Sequence, residues 1–442
     1  MLKKDETVGI IGAGPAGLSA AYFLQEAGIA CKVFEASSTP GGLASAVNLY
    51  GRQLDLGPHT FLESSQPQAV QLWKALGGHH LQNLTLNRGM VLQKKMIPFP
   101  PQPFGLLRSL GPIHCSRASA SNLISKLSSK KPAMTAGDFF SNKFGQVFNQ
   151  LVFDPFCEKY MGTGSGNVDP GFAGALSSFA HQSGKTDIQA NPVTMKNLLY
   201  PEDGTAAQWK RLAEKLGRFA PIHLNKKVSA IQTNDSKLST VYFEDGTHEQ
   251  VKYLVSSLPI KTILNLLGTG PEEVKKSAAL TATRNTILVY LRLEKTRFPQ
   301  HYITVFDHSL EAGRISNFDN WQPRKQFDDT VICMEYWCDS HEPIWHLEES
   351  EMIRKAMQEL VSAGLARKNA FRDGVVKKIA QSHPILDLHY QLKLKEINTY
   401  LDSFANLSRI GRHATFSWDG QADNIMAGMR VAEEVKRYLT HR

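Results

Sequence analysis

Cysteine is scarce in this chain: five occur in 442 residues (Cys31, Cys115, Cys157, Cys333 and Cys338), and no two stand in a CxxC pair. An odd, scattered set excludes a disulfide framework and a zinc cluster, and fits reduced thiols in a cytoplasmic protein. Long apolar runs are absent too. None reaches the roughly 18 residues that a membrane-crossing helix needs, so no membrane span is expected. No internal repeat is present. The start, MLKKDETVGIIGAGPAGLSAAYFL, superficially has the layout of an export signal. Asp5 and Glu6 follow its lysines, however, and glycines and a proline break its apolar run, so a strand and a turn are predicted there.

What is present is an ordinary balance for folded protein, with 42% hydrophobic and 21% charged residues. The length predicts two or three lobes. The net charge is +9, but Lys and Arg are spread along the chain without a basic stripe, so no nucleic-acid partner is expected. The excess is either a solvated basic surface or a field that draws in an anionic cofactor and substrate.

The informative stretch is TVGIIGAGPAG, residues 7–17. TVGII reads as a buried parallel strand. Gly12, Gly14 and Gly17 then spell G-x-G-x-x-G with Ala16 inside it, and a helical pattern follows as far as Gly28. A second strand, CKVFE, ends on Glu35. This is the length of a βαβ unit that binds a dinucleotide. The first glycine permits the turn, the second lets backbone approach a pyrophosphate, and the third lets helix pack on strand. Glu35 is placed to accept hydrogen bonds from ribose hydroxyls, and a carboxylate there disfavours a 2′-phosphate.

Further segments resemble the flavoprotein superfamily of amine oxidases, protoporphyrinogen oxidases, phytoene desaturases and UDP-galactopyranose mutases. Gly41-Gly42-Leu43 follows the ribose acid as the family's second glycine turn, and LDLGPHTF (54–61) resembles the segment that passes the flavin ring at Pro58 and His59. Near the other end, Gly411-Arg412, Asp423 and Met426 resemble the segment that returns a helix N-terminus to the flavin, and the strand around Val228 resembles the one that meets adenine.

The resemblance implies FAD as cofactor and an α/β fold. It comprises a Rossmann-like FAD-binding domain of the glutathione-reductase and amine-oxidase type, and a discontinuous mixed-sheet α+β substrate domain with a helical part. The expected FAD-binding segments are 1–85, 200–275 and 392–442. The substrate domain takes 86–199 and 276–391, helical over about 104–199. Within that part, residues 114–135 read either as a mobile flap or as a plain surface helix and linker.

Two likenesses point to the mutase branch: His59 in GPHTF, and the run Arg314-Ile-Ser-Asn317-Phe-Asp-Asn-Trp321-Gln-Pro. They imply His59 and Arg314 as catalytic, with Arg314, Asn317 and Trp321 meeting an anionic substrate of the nucleotide-sugar kind. Other features depart from that branch. The stretch GFAGALSSFAHQ carries no arginine, and the mutases' phosphate-gripping tyrosines look replaced by His383 and Trp418. Trp418 is then a candidate substrate contact and His383 a candidate acid or base. The leading expectation is an FAD-dependent oxidoreductase that moves a hydride to flavin N5 from a small organic substrate, with sugar-nucleotide and glycan-pathway compounds among the candidates. The alternatives are a redox-neutral sugar mutase and a non-catalytic FAD-binding protein.

Overall fold

The strand Thr7–Ile11 (β1) is buried from its second residue onward and forms the centre of the first of two compact units. The structure, a computed structural model, describes residues 7–128, 132–182, 194–217, 219–296 and 298–440. Unit one gathers residues 1–82, 199–282 and 391–442, and unit two gathers 83–198 and 283–390.

In unit one, β1 pairs in parallel with Cys31–Phe34 (β2) on one side and with His248–Ser256 on the other. Ile222–His223 extends the sheet beyond β2, and Leu407–Arg409 pairs in parallel with the far half of His248–Ser256. The near half of that long strand continues into an antiparallel meander with Lys237–Phe243 and Val228–Asn234, giving seven strands in all. Parallel strands covered on both faces must be apolar throughout, which is why β1 has no alternation.

Helix Pro15–Glu26 (α1) packs on this sheet through Leu18, Ala20, Ala21 and Leu24, and the helix Gln421–Thr440 lies against it through Ile425, Val431 and Val435. The two helices approach closely at Gly428, where an added Cβ would come within 2.5 Å of the Ser19 backbone. A second block of the same core stacks Phe61 on Trp73 at 4.4 Å, with Trp209 edge-on to Trp73.

Unit two is built on an eight-stranded sheet. Seven strands run in the order Phe371–Pro384, Thr283–Glu294, Asp329–Cys338, Arg314–Asn317, Tyr302–Val305, Leu81–Leu92 and Lys95–Pro98, and Thr194–Pro201 also pairs with Leu81–Leu92. Asp329–Cys338 is buried at every position, with sheet neighbours on both sides. The helical part begins with Pro103–Leu127, which is bent at Gly111 and Pro112. Residues 129–131 of the stretch considered as a flap lie outside the described residues. Ala136–Phe144 follows, started by a capping box in which Thr135 and Asp138 satisfy each other's backbone N–H groups. Among the described residues, no helix is long and apolar enough to cross a membrane.

Candidate active site

In unit one, three glycine positions shape a cradle at the end of β1. Gly12 has φ +97°, and a Cβ there would lie 2.1 Å from Ser257 Oγ. A Cβ on Gly17 would stand 1.9 Å from the Gly12 carbonyl oxygen, so any side chain would force the turn away from α1. Gly14 caps α1 in an extended conformation with no side-chain hydrogen bond, and Pro15 opens the helix. The N–H groups of the first turn therefore have no intrahelical acceptor, and no acid occupies that turn, which is the electrostatics of an anion site.

The second glycine turn leans on the first. Gly41 N–H donates to the Ala13 carbonyl at 2.8 Å, and a Cβ on Gly42 would be 3.1 Å from Gly14 Cα, with Leu43 next in a short 3-10 turn. Glu35 sits just past β2. Its Oε2 accepts from Ala13 N–H at 2.7 Å, and its Oε1 accepts from Ser37 N–H at 2.9 Å. The carboxylate is thus held over the glycine turn. Backbone bonds from Lys226 N–H to the Glu35 carbonyl and from Asn225 N–H to the Ser37 carbonyl lead into the strand that opens with buried Val228.

The return segment meets the same turn. Gly411 has φ +86°, and a Cβ there would be 3.0 Å from Ala16 Cβ. Arg412 donates to the Asp419 carbonyl at 2.9 Å, which closes the loop carrying half-buried Trp418. Asp423, in the first turn of Gln421–Thr440, accepts from Gly420 N–H at 2.9 Å, and Met426 packs into the core. Pro58 and His59 follow Asp55, which does something the sequence did not disclose. Asp55 is buried and accepts from Tyr200 Oη at 2.9 Å and from Thr205 Oγ1 at 2.8 Å, tying the 57–59 turn to the start of helix Thr205–Leu216. Burial pushes its carboxyl above the usual carboxylate range, against these donors.

The steric and electrostatic features of the cradle fit a dinucleotide. A pyrophosphate needs backbone N–H groups with no Cβ in the way, and a ribose needs a fixed carboxylate beside them. Both are present on one edge of unit one. Among the described residues, no group of His, Cys, Asp and Glu could hold a metal ion.

In unit two, Arg314 stands directly opposite Glu335 in the antiparallel pair. Its Nε and Nη2 donate to Glu335 Oε1 and Oε2, each at 2.6 Å, a bidentate fork. Burial works against the guanidinium's proton, but the Glu335 carboxylate more than offsets it and holds the group charged. The guanidinium also lies 5.8 Å from the centre of the Trp337 ring. Gly313 makes room for that ring, since a Cβ there would be 2.0 Å from it. Tyr160 meets Trp337 edge-on at 4.6 Å and stacks on His383 at 4.1 Å.

Several sequence expectations change here. His383 is only 3% exposed, with Nε2 at 2.9 Å from the Tyr160 carbonyl and Nδ1 at 3.1 Å from Ser382 Oγ. Both ring nitrogens are committed to the fold, so its assignment as an acid or base gives way to a positioning role for Tyr160. Asn317 is buried, donating to the Phe298 carbonyl and accepting from Asp319 N–H, and so caps the turn Phe318–Trp321. Trp321 is fully buried with Nε1 donating to the His301 carbonyl at 3.1 Å. Neither side chain is placed to touch a substrate, because the strand that starts at Arg314 turns its later residues into the core. Glu335, Trp337 and Tyr160 were missed. An acid inside the otherwise uncharged run TVICMEYWC (330–338) was the available signal for Glu335, since a buried charge requires a partner. For Tyr160 there was none.

Residues 15–379 match the family described as flavin containing amine oxidoreductase. Coproporphyrinogen III oxidase of Staphylococcus aureus (strain NCTC 8325 / PS 47) is 25% identical over 465 residues, covering 97% of this chain and 99% of that protein. Protoporphyrinogen oxidase 2, chloroplastic/mitochondrial, of Arabidopsis thaliana is 28% identical over 277 residues, 55% of this chain and 52% of that protein. The crystal structure of reduced UDP-galactopyranose mutase superposes with a TM-score of 0.83 at 19% identity, over 98% of this chain and 96% of that one, and shares the fold. With its glycine cradle and the Glu35 carboxylate held over it, the chain belongs to the flavin containing amine oxidoreductase family and is an FAD-dependent oxidoreductase.

Proposed function

We propose that the protein oxidises a carbon centre of a small organic molecule with a largely apolar body, and that it is not a sugar-nucleotide mutase. FAD, when bound, supplies a two-electron acceptor. The chain's residues hold it: Gly12, Gly14, Ala16 and Gly17 at the pyrophosphate, Glu35 at the ribose, and Val228 at the adenine. Gly41, Gly42, Leu43, Pro58, His59, Gly411, Arg412, Asp423 and Met426 line the rest of the cofactor.

The observation that carries the substrate reading is the Arg314–Glu335 fork. Two of the three guanidinium nitrogens are committed to a carboxylate, and the pair as a whole is neutral. A diphosphate would need surplus positive charge, and breaking the fork to supply it would strand Glu335, whose side chain is 3% exposed. One remaining nitrogen, framed by Trp337 and Tyr160, suits a single carboxylate or carbonyl on a flat apolar molecule. The two curated relatives are named for porphyrinogens, and that substrate class has this character.

The test is the visible spectrum of the purified flavoprotein under anaerobic conditions, with coproporphyrinogen III, protoporphyrinogen IX, a primary amine and UDP-galactopyranose added in turn. Bleaching of the flavin band by one of the first three supports the reading and names the class. A band that shifts without bleaching on UDP-galactopyranose, with an isomerised sugar appearing once the flavin is reduced chemically, overturns it in favour of the mutase.

A further inference from the structure

Behind Tyr160 and Trp337 in unit two lies a buried cation. Arg284, the second residue of the strand Thr283–Glu294, is 3% exposed. Its guanidinium works in two directions. Nη1 donates to Asp339 Oδ2 and to Glu342 Oε1, each at 2.6 Å. Nη2 donates to two backbone carbonyls, that of Lys159 at 3.1 Å and that of Trp337 at 2.8 Å. The two acids belong to the turn after Asp329–Cys338, and they brace each other. Asp339 N–H donates to Glu342 Oε1 at 2.9 Å, and Glu342 N–H donates to the Asp339 carbonyl at 3.1 Å. Both acids are half-buried, so the charge is balanced at the rim while the carbonyls are held inside.

Those carbonyls belong to the peptides that carry the aromatic pair. Lys159 and Tyr160 lie in the last turn of the helix Asp154–Met161, where carbonyls have no intrahelical donor. Each of them finds a different partner. Gly162, at φ +75°, donates its N–H to the Glu158 carbonyl, and Arg284 donates to Lys159. His383, the residue opposite Arg284 in the neighbouring strand, places Nε2 at 2.9 Å from the Tyr160 carbonyl. Gly162 also makes room for the guanidinium, since a Cβ there would stand 2.9 Å from Nη1. Water can close a helix end, but one nitrogen shared by two carbonyls also fixes their separation. Nη2 thereby ties the helix end that carries Tyr160 to the strand end that carries Trp337. Their rings meet at 4.6 Å and 71°, and Phe156, four residues before Tyr160, abuts them at 5.8 and 6.2 Å.

We infer that Arg284 is a positioning residue, which sets the spacing and angle of the Tyr160–Trp337 pair and through it the fit of a flat apolar substrate. Its bearing on substrate rests on the function proposed above, whereas its hold on the two rings does not. Arg284 itself meets no substrate, because it is enclosed and both its terminal nitrogens are committed. Lysine is no substitute. An ammonium supplies the charge for Asp339 and Glu342 but has no planar fork with which to reach two carbonyls as well.

The experiment is fluorine-19 NMR of the FAD-loaded protein labelled with 5-fluorotryptophan, which gives one resonance for each of the six tryptophans. Trp337→Phe identifies the resonance of Trp337. In Arg284→Lys that resonance should shift or broaden, while those of the buried Trp73, Trp209 and Trp321 stay in place. The same variant, given coproporphyrinogen III anaerobically, should need about tenfold more for half-maximal flavin reduction, with a limiting rate within about twofold of wild type. Should Arg284→Lys fail to fold, Asp339→Asn with Glu342→Gln removes the charges at the rim and leaves the arginine, and a smaller shift of the Trp337 resonance is expected. A Trp337 resonance that stays put, four resonances that move together, or a shifted resonance with unchanged half-saturation overturns the inference. Should coproporphyrinogen III fail to reduce the wild-type flavin, that failure counts against the substrate class, and the Trp337 resonance by itself decides the role of Arg284.

Discussion

The cradle in unit one and the wall in unit two are made by opposite means. The cradle is backbone: its specificity comes from where side chains are missing, at Gly12, Gly17, Gly42 and Gly411, with one carboxylate, Glu35, set among N–H groups. The wall is side chain: Arg314, Glu335, Trp337 and Tyr160 hold one another through a fork and ring contacts. A site made of absences has no repacking route when a side chain is added. A site made of contacts can be retuned residue by residue, so a shared cofactor and divergent substrates follow from one architecture.

The contrast predicts unequal sensitivity. Gly17→Val should be the most damaging change, since its Cβ would overlap the Gly12 carbonyl. A loss of about 3 kcal/mol or more and of bound flavin is expected, read by thermal melting and by the ratio of flavin to protein absorbance. Normal flavin content in that variant would remove the steric account of the cradle.

Acid should weaken unit two next. His301 is buried, and desolvation pulls its imidazole down to about 4 from an ordinary value near 6.5. The unfolded chain then binds the extra proton between those values and the folded protein does not. Stability from this group is complete above about pH 6.5 and declines as pH falls to about 4, by up to roughly 3 kcal/mol. Denaturant midpoints measured across that window for wild type and His301→Gln test it, the variant being expected to show a shallower slope.

Glu335→Ala should cost about 2 kcal/mol, less than a fully buried pair would, because the Arg314 side chain is 30% exposed. Arg314→Met combined with Glu335→Leu should recover most of that loss, and a double-mutant cycle by denaturation gives the coupling directly. Flavin content should stay constant throughout the cycle, whereas loss of flavin would contradict the division between cofactor and substrate residues. The smallest effect on stability belongs to Glu35→Ala, with an expected drop in FAD affinity of about tenfold, measured by titrating apoprotein.

The two sites were also unequally legible in the sequence. TVGIIGAGPAG and Glu35 announce a βαβ unit because each glycine answers a steric demand arising within some twenty residues. Asp55 gave no such notice, since the hydroxyls it accepts from, Tyr200 and Thr205, lie on a distant stretch of chain. Arg314 was visible as a cation, but its neutralisation by Glu335 depends on the register between two strands, which no local pattern fixes. Asn317, Trp321 and His383 were over-read for the same reason, their burial being set by the sheet around them.

The closeness of Gly428 to Ser19 also bears on how the protein is made. The glycine turn leaves the ribosome about four hundred residues before Gln421–Thr440, the helix that packs across α1. At about 5–20 residues per second the nascent cradle waits some 20–80 s for the helix that completes its core. Throughout that interval the apolar face of α1 is a surface for chaperones to shield.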